Sequence, residues 1–233
     1  MKAELVDCMG SDLTVVNAAR VSFNKESHFK YTEMGEHLED RDAKLIKYLA
    51  DNKHFTPFTH CTITMREKVP IFVARQRFKH QIGFSYNEVS RRYVDDDPEF
   101  YFPETWRARA MDKKQGSSEE TVDINPPTQN GRALIDDYEI AVRKCLWTYQ
   151  QLLRKGVCPE QARMVLPQSA YTEYYVTGSL YAWARAYNLR SDDHAQKEIR
   201  DLASMWDDII VMHFPESWLA LTGGECYANG SIS

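Results

Sequence analysis

The sequence predicts a mixed α and β fold, α/β of the α+β type, in a single domain where helices dominate and a few strands are interposed. Apolar residues recur at helical spacing over two long stretches, 133–155 and 191–213, and residues 61–66 alternate with period two. The chain of 233 residues is 43% hydrophobic, which is enough apolar material for one core of its own.

Along the chain, residues 13–22 (LTVVNAARVS) read as a strand leading into a short helix. Between 40 and 52, Leu45, Ile46, Tyr48 and Leu49 recur among charged residues on one helical face, and Thr56-Pro57 closes that segment. Cys61, Ile63 and Met65 alternate with Thr62, Thr64 and Arg66 as a half-buried strand. Pro70 is suited to the first turn of a helix continuing through Ala74, Gln76, Phe78 and Lys79, which places a basic cluster on that helix and the loop behind it. Residues 112–132 turn polar, with a Pro-Pro pair, and read as a mobile surface loop. A helix over 133–155 is expected to stop at Gly156, and Pro159 to open a short helix through Arg163. Ser191 is the expected N-cap of the last long helix, with Asp192 and Asp193 in its first turn, and Pro215 its expected end.

Composition narrows the function. Residues 1–11 carry Lys2, Glu4 and Asp7 and lack the apolar run of a secretion signal, and no stretch approaches the roughly 20 apolar residues of a membrane span. Five scattered cysteines without a C-x-x-C pair suit a reducing, cytoplasmic setting, whether the cell's own or a host's. A net charge of −5 disfavours broad nucleic-acid binding, and no membrane partner is expected. The basic residues nevertheless segregate: residues 74–93 (ARQRFKHQIGFSYNEVSRRY) hold Arg75, Arg77, Lys79, Arg91 and Arg92 among Gln, His, Ser, Asn and Glu. Guanidinium forks beside neutral hydrogen-bonding groups suit a ligand phosphorylated at one end, such as a nucleotide. The plainer alternative is a solvated basic face paired with Asp95, Asp96 and Asp97. Interleaved Phe78, Phe84, Tyr86 and Tyr93 also admit a single-stranded nucleic-acid binder, which the acidic balance makes a minor reading.

At this cluster the chain resembles the flavin-dependent thymidylate synthase family, whose signature runs Arg-His-Arg and then Asn-Glu-x-Ser-x-Arg-Tyr. Here it reads KHQIGFSYNEVSRRY, and other blocks fall in family order: AARVSF at 18–23, HFTPFTH at 54–60, PIFVARQ at 70–76, ARMVLP at 162–167 and NLRSDDHAQKEIR at 188–200. There are departures. Lys79-His80-Gln81 replaces Arg-His-Arg, one extra residue sits near Gly83-Phe84, and the second flavin block, usually Asn-x-Arg followed by Asn, reads Ser179, Leu180, Tyr181 and then Arg185.

The resemblance implies a mixed sheet flanked by long helices, a homotetramer, and reductive methylation of dUMP to dTMP. FAD would carry the hydride, NADPH would reduce it, and methylenetetrahydrofolate would donate the carbon. Arg190 matches the arginine that polarises the uracil and is the expected catalytic residue. Gln76, Lys79, Glu88, Ser90, Arg91, Arg92, Arg163 and Arg190 match dUMP-binding positions, with Arg92 and Arg163 on the phosphate. His54, Thr56, Lys79, His80, Gln81, Glu88, Ser179, Tyr181 and Arg185 match flavin-side positions. No metal is expected, since His54 and His60 fit no ligand spacing, and Cys158 reads as an inert thiol. The departures leave open a nucleotide-binding protein of the same fold with lost or altered catalysis.

Overall fold

The computed structural model describes residues 1–32, 35–94, 96–110, 117–129 and 131–223. Cys226, Asp95, and 112–116 and 130 of the polar segment lie outside the described residues. A four-stranded sheet holds β1 (Lys2–Met9), β4 (Thr62–Pro70), β5 (Phe84–Glu88) and β8 (Tyr171–Ser179) in the order β1-β4-β8-β5, while β2 (Lys30–Thr32) with β3 (Gly35–His37), and β6 (Arg107–Arg109) with β7 (Ser117–Thr121), form two small hairpins. The helices are α1 (Asp12–Arg20), α2 (Asp40–Asp51), α3 (Ile71–Arg77), α4 (Leu134–Arg154), α5 (Pro159–Ala162), α6 (Leu180–Arg190), α7 (Lys197–Val211) and α8 (Pro215–Thr222).

Every pairing in the main sheet is antiparallel, which corrects the expected mixed sheet. The physical reason was present in β4: Ile63, Met65, Glu67 and Val69 are buried while Arg66 is exposed and Thr64 and Lys68 are half-buried, and a one-sided alternation belongs to an antiparallel sheet, not to a parallel one covered on both faces. The covered face rests on α3, α6 and α7, with α8 packed against α6 and α7, around Trp183, Trp206 and Trp218, all fully buried.

Other expectations need correction. Residues 13–22 contain no strand: α1 starts at Asp12, with the Ser11 N–H donating to Thr14 Oγ1 at 3.1 Å and Val15 and Val16 facing the core. The preceding residues, read only for a missing signal, are the edge strand β1. α3 ends at Arg77, short of Lys79. Ser191 closes α6 instead of opening α7; the Asp192 carboxylate accepts from the His194 N–H at 2.8 Å and turns the chain, so α7 begins five residues beyond Asp192. Pro215 opens α8, whose Glu216 and Ser217 N–H groups each donate to the buried Asp12 carboxylate at 2.9 Å. Within the polar segment, 117–121 is a strand paired with 107–109. α2, α4 and α5 stand within a residue of expectation, and Gly156 ends α4 at φ +84.

Candidate active site

The basic stretch leaves α3, turns at Gly83 (φ +83), where a side chain would strike Ala182 on α6, and returns as β5 along β8. Gly178 on β8 lets the Phe84 ring lie flat across it, since a Cβ there would sit 2.4 Å from that ring. Of the cations expected to meet ligand, Arg77 is absent from the surface. It is fully buried, its Nε 3.3 Å from each oxygen of the buried Glu67, its Nη1 donating to the Tyr86 hydroxyl at 2.6 Å. Phe84, Tyr86, Trp183 and Trp206 surround its guanidinium at 4.5 to 5.2 Å, and Tyr174 donates to Glu67 at 2.5 Å. Tyr86 in turn donates to the His80 carbonyl at 2.6 Å, gripping the turn that follows α3.

On the other side of that turn lies Arg190, the last residue of α6. Its Nε donates to His80 Nε2 at 2.8 Å and its Nη2 to the Gln76 carbonyl at 3.2 Å. The accepting Nε2 requires a neutral ring protonated at Nδ1. Burial, then the charges of Arg190, Arg77 and Arg185, push the His80 pKa down to about 4, so the ring stays neutral near pH 7. Gln76 and Arg190 line a cleft of about 400 Å³ with Leu189, Asp192, His194 and Gln196. That is a partly desolvated cation beside an amide, held by a neutral imidazole, and it can stabilise negative charge growing on a flat polar ring.

Glu88, Ser90, Arg91, Arg92 and Arg163 come together in a second cleft of about 630 Å³, which shares no lining residue with the first. Arg92 Nε donates to Ser90 Oγ at 3.2 Å, which engages the hydroxyl that a nucleophile reading would need free. Thr172 donates to Glu88 at 2.5 Å. Arg91 donates to the Asp96 carbonyl at 2.8 Å and Arg92 lies 3.8 Å from Glu160, so the paired-surface alternative holds for part of the cluster. Arg163 begins the 3-10 turn after α5.

The flavin-side candidates scatter more. Tyr181 and Arg185, one turn apart on α6, line a third cleft of about 340 Å³ with Lys53, Phe55 and Asn188. Phe55 stacks on Tyr181 at 5.2 Å, which brings the 3-10 turn 56–60 and its Thr56 beside α6. His54 is exposed, edge-on to Tyr48 at 6.0 Å. Lys79 and Gln81 are exposed on the loop after α3. Ser179 Oγ caps α6 by accepting from the Ala182 N–H at 3.2 Å. Among the described residues no group of three His, Cys, Asp or Glu side chains could hold a metal ion.

Sequence reasoning missed Glu67, which pairs directly with Arg77, and Glu198 and Arg107, which reach the Gln76 side of the first cleft through Gln196. One signal was available: Glu67 falls on the inward phase of β4, where a charge demands a partner.

Residues 4–216 match the thymidylate synthase complementing protein family. The chain belongs to the flavin-dependent thymidylate synthases. It is 40% identical over 199 residues to the flavin-dependent thymidylate synthase of Thermosipho africanus, covering 85% of this chain and 81% of that protein. With the flavin-dependent thymidylate synthase of one strain of Thermus thermophilus it shares 38% over 216 residues, 93% and 73% of the two lengths. The crystal structure of the UMP/dUMP methylase PolB from Streptomyces cacaoi, bound with 5-Br dUMP, superposes with a TM-score of 0.77 at 28% identity, over 95% of this chain and 94% of that one. No helix among the described residues is long and apolar enough to cross a membrane.

Proposed function

We propose that this protein methylates dUMP at ring carbon 5 to give dTMP, with methylenetetrahydrofolate as carbon donor and NADPH as reductant. The observation that carries the reading is the meeting of Arg190 and Gln76 on one cleft, with Arg190 held from behind by neutral His80, in a chain of this family. Uracil carbon 5 is a weak nucleophile; Arg190, half-buried at the cleft, makes it stronger by stabilising charge on the carbonyl oxygen of the neighbouring ring carbon. Arg92 and Arg163, with Ser90 and Arg91, hold the phosphate, and Lys79 and Glu88 complete the nucleotide contacts.

The third cleft fits part of a flavin dinucleotide. Arg185 and Lys53 supply cations for a diphosphate, and Phe55 and Tyr181 supply flat faces for stacking. FAD, when bound there, supplies the hydride that completes the methyl group. His54, Thr56, His80, Gln81 and Ser179 are the further contacts on that side. Because the nucleotide candidates divide between clefts with no common residue, the complete site forms between subunits of a homotetramer, in the cytoplasm, where the free thiols of Cys8, Cys61, Cys145 and Cys158 stay reduced.

The test is the visible spectrum of the FAD-supplemented protein under nitrogen, with NADPH and then methylenetetrahydrofolate, with and without dUMP. Bleached flavin that recovers its absorbance only with dUMP and the folate together supports the synthase. Flavin that ignores dUMP sinks it and favours a nucleotide-binding protein without catalysis.

A further inference from the structure

The Gln76 side chain lines the Arg190 cleft, and an amide is ambiguous there: it can turn its N–H donors or its carbonyl acceptor toward a ligand. The ambiguity is removed further along a chain of hydrogen bonds. Glu198, buried in the first turn of α7, accepts from Arg107 on β6 at 2.9 Å and from Gln196 Nε2 at 2.8 Å. Burial alone would favour the neutral acid, but the bonds from Gln196, from its own backbone N–H and from Arg107, with the Arg107 charge, outweigh it and hold the Glu198 pKa below its usual value. An ionised carboxylate only accepts, so Gln196 must turn its NH2 toward Glu198 and its Oε1 away. That oxygen also only accepts, and it receives Gln76 Nε2 at 2.5 Å. The Gln76 carbonyl oxygen is thereby left for the cleft.

We propose that Arg107, Glu198 and Gln196 are positioning residues that lock the Gln76 amide carbonyl-outward, so that the cleft selects a pyrimidine with an imide edge. Of the three donor nitrogens of Arg190, Nε is engaged by His80 and Nη2 by the Gln76 backbone, and its Nη1 makes no hydrogen bond to the described residues. An outward acceptor beside that donor matches the N3–H and adjacent carbonyl of uracil. Cytosine presents a bare N3 and an exocyclic NH2, so the Gln76 oxygen would meet a lone pair and Arg190 would meet a donor. The β6–β7 hairpin gains a role from this geometry, since its Arg107 holds the far end of the relay. The inference rests on the uracil reading of the Arg190 cleft.

Calorimetry on the FAD-loaded protein, with dUMP and dCMP as probes, tests it in the wild type, Glu198→Gln and Gln196→Met. Wild type should prefer dUMP by about 100-fold or more, because an unpaired polar group in a fitted site is costly. In either variant the Gln76 amide is free to turn, and the preference should fall by about tenfold or more. A residue with only a structural role would weaken both nucleotides alike, so an unchanged ratio in folded variants overturns the relay while leaving the uracil site standing. Wild type that binds dUMP no better than dCMP overturns both. Should the variants fail to fold, 3-methyl-dUMP on the wild type decides. Loss of about 100-fold in affinity supports an acceptor facing N3–H, and affinity equal to that of dUMP overturns it.

Discussion

Arg190 and His80 are 110 residues apart in sequence and 2.8 Å apart in space, and the Arg190 charge helps hold the His80 ring neutral. Arg190→Ala should lower single-turnover methylation about 10²- to 10³-fold, the usual cost of removing one donor from a site of developing charge. Turnover within a few-fold of wild type would remove its catalytic role. His80 contributes to acid sensitivity. Its folded pKa, about 4, lies below the 6.5 of a free imidazole, so between those values the unfolded chain binds more protons. Stability should therefore fall as pH drops from 6.5 toward 4, with no change from this group above 6.5. In His80→Gln, urea midpoints at pH 5 and 7.5 should lie closer together than in wild type; equal gaps would contradict the assignment. Gln81 stands exposed where the family signature has arginine, and Gln81→Arg should tighten FAD retention, read by fluorescence of released flavin. No gain would show that the exposed loop does not face the diphosphate.

At the scale of elements, the junction of α3 with the sheet depends on a charge pair with no solvent access. Glu67 on β4 and Arg77 on α3 are both fully buried, and Arg77 Nη2 has no partner among the described residues. Such a pair adds little over a well-packed apolar one, but breaking one side strands the other. Glu67→Leu should cost about 3–5 kcal/mol in urea unfolding, and the double change with Arg77→Met should recover most of that. Recovery of less than half would mean that the aromatic cage and Tyr86, rather than the ion pair, hold the junction. These elements also show what was legible. α2, β4 and α4 follow from local periodicity, which needs no partner to be read. Arg77 was counted as a surface cation because sequence patterning assigns charge to water, and the cage that buries it closes only when the Trp183 and Trp206 rings, more than 100 residues onward, join Phe84 and Tyr86. α6 lacked a readable stripe because Leu180, Ala182, Trp183, Ala184 and Ala186 are buried on several sides.

For the whole molecule, α4 is left with a largely uncovered surface. Of its 21 residues only Val142 and Tyr149 are fully buried, while Ile140 and Trp147, seven residues apart on one face, remain about half exposed at 48% and 50%. A helix of this length with so little burial is suited to packing against another copy of itself. Sedimentation should give a mass of about four chains, and Trp147→Asp should give smaller species with proportionate loss of methylation. A fully active monomer would contradict both the assembly and the shared site.

The residues themselves determined the class, the long helices and the family blocks, because composition, periodicity and short motifs act within a few turns of chain. The PIFVARQ, NEVSRRY and NLRSDDHAQKEIR segments marked Gln76, Ser90, Arg92 and Arg190 as nucleotide candidates before any contact was known. Only the tertiary structure decided which of those side chains meet. It placed Arg190 on His80, left Glu88, Ser90 and Arg92 in a different cleft, sank Arg77 into the core, and made the sheet antiparallel. The reason is range: hydrogen bonds, desolvation and pairing act over a few ångströms, and distance along the chain says nothing of distance in space until the sheet and its helices have closed.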